Sequence, residues 1–183
     1  VTIAAAIAFD WRQRRTGDRR AADAVTPIAR PQVSVVIPAL NEEGPIAAAV
    51  RGIMAVGLPG LAEVIVADNG STDATAAEAA AAGARVVSAP ERGYGAACLA
   101  ALTRVHPASN IVLFMDADLA DVPEDAAALI APIIAGETDL VIGSRTAGVI
   151  EPGAMTVPQR FGNWLAPALV RAIWGVRYTD LGP

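Results

Sequence analysis

Two aspartates one residue apart, Asp116 and Asp118, follow the largely apolar run Asn110-Ile111-Val112-Leu113-Phe114-Met115. Burying such carboxylates without a partner costs on the order of several kcal/mol. Facing a cation relieves their repulsion. A hard divalent ion such as Mg2+ or Mn2+ takes oxygen ligands and leaves room for substrate phosphates. One carboxylate then meets the metal directly and the other through water or sugar. The alternative is a polar strand exit with solvated carboxylates. Asp121, Glu124 and Asp125 are read as acids at the start of the next helix, where they suit its dipole.

A second polar cluster, Asp68-Asn69-Gly70-Ser71-Thr72-Asp73, ends another apolar run. Asp68 either accepts hydrogen bonds from a nucleobase or ribose, or closes an Asx turn that shapes the loop. In a third cluster, Asn41-Glu42-Glu43, Glu42 either does similar work or is a first-turn helix acid. Arg92-Gly93-Tyr94-Gly95 enters a helix, and its amides could face a phosphate. It is not a dinucleotide fingerprint, because Cys98 stands where the third glycine is needed. Arg145 and Arg160 are candidate anion clamps, since guanidinium binds phosphate in a fork, or else surface arginines. His106 reads as a capping or surface residue and Cys98 as a small core residue. Trp164 and Trp174 either pack in the core or offer an apolar face to a lipid chain.

These clusters need a scaffold. Val33 to Ile37 is β-branched and ends at Pro38, as suits a buried strand. A helix is expected over 42–57, with Ile46, Val50, Ile53 and Met54 on one stripe. Strands are expected over 63–67, 85–88, 110–115 and 139–143. Helices are expected over 74–82 and 93–105, from Pro123, and over 160–174. Apolar strands joined by long crossovers predict an α/β fold with a mostly parallel sheet covered on both faces. Such sheets bind ligands at the carboxyl ends of their strands, where all three clusters fall.

Composition narrows the function. The chain has 183 residues, 14 basic and 19 acidic, for a formal net charge of −5. An acidic chain of this kind is no nucleic-acid coat. All the basic residues are arginines, so no P-loop lysine exists. One cysteine and one histidine exclude a disulfide framework and a multi-histidine metal site. Residues 1–32 read as a basic N-terminal tail and linker, either a surface helix or disordered, or a segment touching anionic lipid. No apolar run is long enough to span a bilayer and no signal peptide is evident, so a cytoplasmic placement is expected.

Together these residues resemble family 2 glycosyltransferases of the GT-A fold, nearest to the dolichyl- or polyprenyl-phosphate mannose or glucose synthases. The matching stretches are Val35 to Glu43, Val66 to Asp73, Gly93 to Ala97, Met115 to Leu119 and Asp139 to Arg145, with a looser match through Arg160, Asn163 and Tyr178 to Gly182. The resemblance implies a single transferase domain over 33–183. It also implies an inverting, metal-dependent transfer of a hexose from a UDP- or GDP-sugar to a polyprenyl phosphate or other glycan acceptor, at the inner face of the membrane. By the same resemblance Asp116 and Asp118 hold Mg2+ or Mn2+ and the diphosphate. Pro38, Asn41, Glu42, Asp68, Gly93 and Arg160 belong to the donor pocket. Arg145 lies by the donor and acceptor phosphates, and Asp180 orients or deprotonates the acceptor. Ala120 departs from a metal-assisting glutamine of the lipid-phosphate members, and Asn69 from a second aspartate. The match stops at Leu181-Gly182-Pro183, short of the family's usual length, which implies C-terminal truncation. The alternatives are a non-catalytic nucleotide- or partner-binding remnant and a sugar-phosphate nucleotidyltransferase, although the glycine-rich loop of the latter is missing.

Overall fold

The computed structural model describes residues 5–8 and 26–143. The elements in chain order are β1 (Ala5–Ala8), β2 (Val33–Ala39), α1 (Pro45–Ala55), β3 (Leu61–Asp68), α2 (Thr75–Ala81), β4 (Arg85–Ser88) and α3 (Tyr94–Leu102). They continue with β5 (Ile111–Phe114), a 3-10 turn (Pro123–Asp125), α4 (Ala126–Ile134) and β6 (Leu140–Ile142). One six-stranded sheet runs in the order β4-β3-β2-β5-β1-β6. β4, β3, β2 and β5 are mutually parallel, and β1 is antiparallel to both β5 and β6. The mostly parallel, helix-flanked sheet expected from the alternation is therefore present.

The alternating side chains of β2 divide the core. Val33, Val35, Ile37 and Ala39 join Ile46, Val50 and Ile53 of α1 and Ile130 and Ile133 of α4 on one face. Val36 joins Ile65, Ala67 and Val112, with Ala97 and Ala101 of α3, on the other. Full burial of an isoleucine or leucine such as Ile37 or Leu113 contributes about 1.5–3 kcal/mol. Ser34 is the polar exception in this strand, with no exposed surface. Its Oγ donates to Glu63 Oε1 at 2.8 Å, which leaves it to accept from the Ser109 hydroxyl at 2.6 Å.

Pro38 lies inside β2 rather than ending it, and the hydrogen-bond pattern explains why a proline fits there. Ala39 turns its carbonyl to β3, accepting from Asn69 N–H at 2.9 Å, while Val36 turns to β5, accepting from Met115 N–H at 3.0 Å. Pro38 shares the side of Val36, and the β2–β5 ladder has already ended at Val36 and Phe114. Its missing N–H costs no ladder bond. Beyond this point β2 stays paired to β3 alone, and the sheet opens on its β5 side. Since β3 and β5 flank β2 on opposite sides, this opening is a topological switch point.

Two boundaries differ from expectation. α1 starts at Pro45 rather than at Glu42, because Gly44 holds φ at 98° and proline then suits the first helical turn. Within the stretch expected to be a tail and linker, Ala5–Ala8 is a hydrogen-bonded strand inside the sheet. A four-residue, alanine-rich strand carries almost no periodic signal, and its partners lie far along the chain. The helix expected over 160–174, with Trp164 and Trp174, lies outside the described residues. No described helix is long and apolar enough to cross a membrane.

Candidate functional site

The open end of the β2–β5 crevice is shaped by the loop that leaves β5. Asp116 donates its backbone N–H to Asp121 Oδ2 at 2.7 Å, and Asp118 Oδ1 accepts from Ala120 N–H at 2.9 Å. Directly after Asp118, Leu119 takes a left-handed conformation, φ 64°, that a non-glycine residue adopts only when its surroundings hold it there. Asp121 is 3% exposed. It therefore fixes the Asp116–Asp118 loop, a role the sequence reading missed by assigning it to the helix start. The Asp-x-x-x-x-Asp spacing is the only signal that could have suggested this.

Negative charge converges on this end of the sheet. The Glu42 carboxyl is pushed above its ordinary value by partial burial and by the charges of Asp118, Asp73 and Asp116. A divalent cation would relieve that repulsion, and two carboxylates on one tight loop suit it as oxygen donors. Among the described residues no group of three or more histidines, cysteines or acids is arranged to enclose a metal. The two carboxylates fit an ion that completes its shell with phosphate oxygens and water, as Mg2+ and Mn2+ do.

Asp68 ends β3 on the other flank of β2. Its Oδ1 accepts from Ser71 N–H at 3.1 Å, three residues on, so the carboxylate shapes the loop that leaves β3, although by a longer reach than the i to i+2 bond of an Asx turn. Its neighbour Asn69 is buried and holds the segment before α3. Asn69 Nδ2 donates to the carbonyls of Ala89 at 2.8 Å and Glu91 at 2.6 Å, while Oδ1 accepts from Gly93 N–H at 2.8 Å. The Gly93 amide, expected to face a phosphate, is thus committed within the protein. Gly93 contributes its backbone conformation instead, φ 125°. The next residue, Tyr94, donates its hydroxyl to Asp116 Oδ1 at 3.1 Å. Burial and the Asp116 charge push the phenol up, which keeps it a donor.

Asn41 and Glu43 tie the loop after β2 to the start of α2. Asn41 N–H donates to Ser71 Oγ at 3.0 Å, and Asn41 Oδ1 accepts from Thr72 N–H at 2.9 Å. Glu42 N–H donates to Thr75 Oγ1 at 2.7 Å, and Glu43 Oε2 accepts from Ala74 N–H at 3.1 Å. The hydrogen bond from Thr75 holds the Asp73 carboxyl below its usual range. Asn41, itself left-handed at φ 56°, is therefore part of the frame around Glu42.

The structure brings Pro38, Asn41, Glu42, Asp68, Gly93, Asp116 and Asp118 to the carboxyl ends of β2, β3, β4 and β5 and the loops that leave them. Arg145, Arg160 and Asp180 lie outside the described residues. His106 sits at the opposite end of the sheet, where its backbone N–H donates to Glu63. Cys98 is half-buried on α3, and burial together with the Asp116 charge pushes its thiol up.

The model of Glycosyl transferase family 2 matches residues 34–180. The low-salt glycan biosynthesis hexosyltransferase Agl6 of Haloferax volcanii is 36% identical over 168 residues, covering 90% of this chain and 40% of that protein. Glucosyl-3-phosphoglycerate synthase of Mycobacterium tuberculosis, crystallised with Mn2+, UDP and glucosyl-3-phosphoglycerate, is similar with TM-score 0.59 and 31% identity, covering 78% of this chain and 50% of that one. Its complex with Mn2+, UDP-glucose and phosphoglyceric acid matches with TM-score 0.53 and 37% identity over 58% of this chain and 40% of that one. The chain spans about half the length of the curated relatives it matches.

These findings correct the subgroup expected from sequence. Solved structures that this chain matches are of a synthase crystallised with phosphoglyceric acid and with glucosyl-3-phosphoglycerate, which are water-soluble phosphates rather than polyprenyl phosphates. The polyprenyl phosphate acceptor and the membrane association that went with it are withdrawn, as is the nucleotidyltransferase alternative. The reason is physical. Most of the motifs that carried the resemblance were assigned to the donor, and such motifs do not discriminate between acceptors. With the family model matched over residues 34–180 of this chain, and with a mostly parallel GT-A sheet that presents its acidic residues at the switch point, this chain belongs to glycosyl transferase family 2.

Proposed function

We propose that this chain is the donor-binding part of a metal-dependent hexosyltransferase that moves glucose from UDP-glucose to a phosphorylated, water-soluble acceptor of the phosphoglycerate class. One observation carries the reading. Asp116 and Asp118 stand on a tightly held loop at the open end of the β2–β5 crevice, beside Glu42, whose carboxyl their charges push up. The ligands of the similar M. tuberculosis synthase support the choice of base, sugar and acceptor class.

In this reading Asp116 and Asp118 would hold a Mg2+ or Mn2+ ion, which when bound would neutralise charge developing on the departing diphosphate. Asp68 accepts from the base or ribose, with Glu42, Pro38 and Asn41 framing the same pocket. The bond between sugar C1 and the diphosphate oxygen breaks, and UDP leaves with the electron pair. The acceptor's hydroxyl oxygen forms the new bond to C1 and gives up its proton. A hydroxyl acceptor needs a base for that proton, a role we assign to Asp180, whereas an ionised phosphate would not. Arg145 and Arg160 clamp the anionic groups of donor and acceptor.

The test is calorimetric titration with UDP and GDP, each with and without Mn2+, on this chain and on Asp118→Asn. Glucose transfer from UDP-glucose to 3-phosphoglycerate is then assayed. The expected result is UDP binding strengthened by Mn2+, with that strengthening reduced about tenfold or more in Asp118→Asn. A folded chain that binds no UDP in the presence of Mn2+ overturns the reading.

A further inference from the structure

Asn69 joins the two flanks of the crevice. It is 6% exposed. Its backbone N–H donates to the Ala39 carbonyl at the end of β2. Its side chain makes three further hydrogen bonds, two donated to the carbonyls of Ala89 and Glu91 and one accepted from Gly93 N–H. This pattern allows one orientation of the amide, because the flipped form would set Oδ1 against two carbonyl oxygens. The segment so fastened leads without a break into Tyr94, whose hydroxyl donates to Asp116 Oδ1.

We propose that Asn69 is a positioning residue for the metal and diphosphate side of the site: it pins residues 89–93 so that the Tyr94 hydroxyl reaches and orients Asp116. The inference rests on the function proposed above and extends it to residues that the comparisons do not single out. An aspartate at 69, the residue of the family pattern, has nearly the same shape but cannot hold the Ala89 and Glu91 carbonyls in the arrangement seen here. An ionised carboxylate has no donor for the two carbonyls and would repel both. Gly93 can serve as the anchoring amide because its φ of 125° is open to glycine, and no atom lies within 4 Å of where a Cβ would stand. Tyr94 is 58% exposed, so its hydroxyl can be removed without disturbing the core. The path runs from the base side, next to Asp68, to the carboxylate assigned to the metal.

The experiment compares Asn69→Asp and Tyr94→Phe with the unsubstituted chain in two readouts. One is amide hydrogen exchange at Gly93. The other is UDP affinity with and without Mn2+. Loss of an orienting partner of a metal carboxylate typically costs about tenfold or more in metal affinity. Asn69→Asp is expected to speed exchange at Gly93 about tenfold and to reduce the Mn2+-dependent gain in UDP affinity about tenfold, with metal-free UDP affinity changed less than about threefold. A merely structural role would lower both affinities together, and that result overturns the proposal. Tyr94→Phe is expected to keep Gly93 protected and still lose most of the Mn2+-dependent gain. An unchanged gain in Tyr94→Phe overturns the proposal even where Asn69→Asp does not fold. Failure of the unsubstituted chain to bind UDP refutes the proposed function, whereas Gly93 exchange indifferent to Asn69→Asp refutes the positioning role.

Discussion

Replacing Asp121 with alanine removes the carboxylate that accepts the Asp116 N–H at 2.7 Å. That amide sits at the mouth of the site on a partly buried residue, and Asp121 itself is 3% exposed. A hydrogen bond to a charged group contributes about 1.5–3 kcal/mol, and a buried donor left without an acceptor forfeits a similar amount. The left-handed Leu119 adds to this, because strain of that kind persists only while the surrounding contacts hold it. Asp121→Ala is therefore expected to cost about 2 kcal/mol, read as a shifted midpoint in urea denaturation at unchanged slope. Asp121→Asn keeps an acceptor oxygen of the same reach and should recover about half of that loss. Mn2+-dependent UDP binding should weaken in the alanine variant, because Asp116 and Asp118 share the loop that has come loose. An alanine variant within about 0.5 kcal/mol of the parent, with Mn2+-dependent binding intact, would refute the reasoning.

At neutral pH the raised Glu42 carboxyl makes ionised Glu42 a small liability, so Glu42→Gln should stabilise the chain by less than about 1 kcal/mol. A raised folded value means this group favours folding when protonated. The difference should therefore shrink as pH falls toward the ordinary 4.5, and Mn2+ with UDP should reduce it too. Thermal denaturation across pH reads both effects. Glu63 behaves in the opposite sense. Partial burial raises its carboxyl, but hydrogen bonds from Arg85, Ser34 and the His106 amide outweigh that and leave it lowered. Its stabilisation is present above the ordinary 4.5 and is lost as pH falls through the lower folded value. Glu63→Gln should cost about 1 kcal/mol at pH 7, less in acid, and leave UDP affinity unchanged because the network lies at the far end of the sheet.

Much of the scaffold is legible because its signals are local. Val33 to Ile37 and Glu63 to Ala67 are β-branched runs with turn residues after them, and both are central strands. The carboxyl-end rule then brings Asp68, Asp116 and Asp118 to one edge before any contact is known. Less was legible where partners lie far apart. Asn69 read as a turn residue and a departure from the family pattern, because its partners lie 20 to 24 residues on, at Ala89, Glu91 and Gly93. Asp121 read as a helix acid because the nearby helix start offered a simpler role than the Asp116 amide five residues before it. Tyr94 carried no signal at all, since its hydroxyl meets a carboxylate from another strand end.

The acceptor was misjudged for a related reason. Donor-side motifs are shared across acceptors, and the residues expected to read the acceptor lie outside the described part.

By itself the sequence determined the strand–helix alternation, the parallel sheet, the family and the acidic pair suited to a divalent ion. These follow from residue type and from spacing along one segment. Tertiary structure alone decided that Ala5–Ala8 enters the sheet and that Pro38 stands where the ladder has already parted. It also decided that Asn69 meets residues 89–93, that the Tyr94 hydroxyl meets Asp116 and that the Asp121 carboxylate takes the Asp116 amide. Each of these depends on which backbone group a side chain meets across the fold, and that pairing is set by packing rather than by neighbours in the chain.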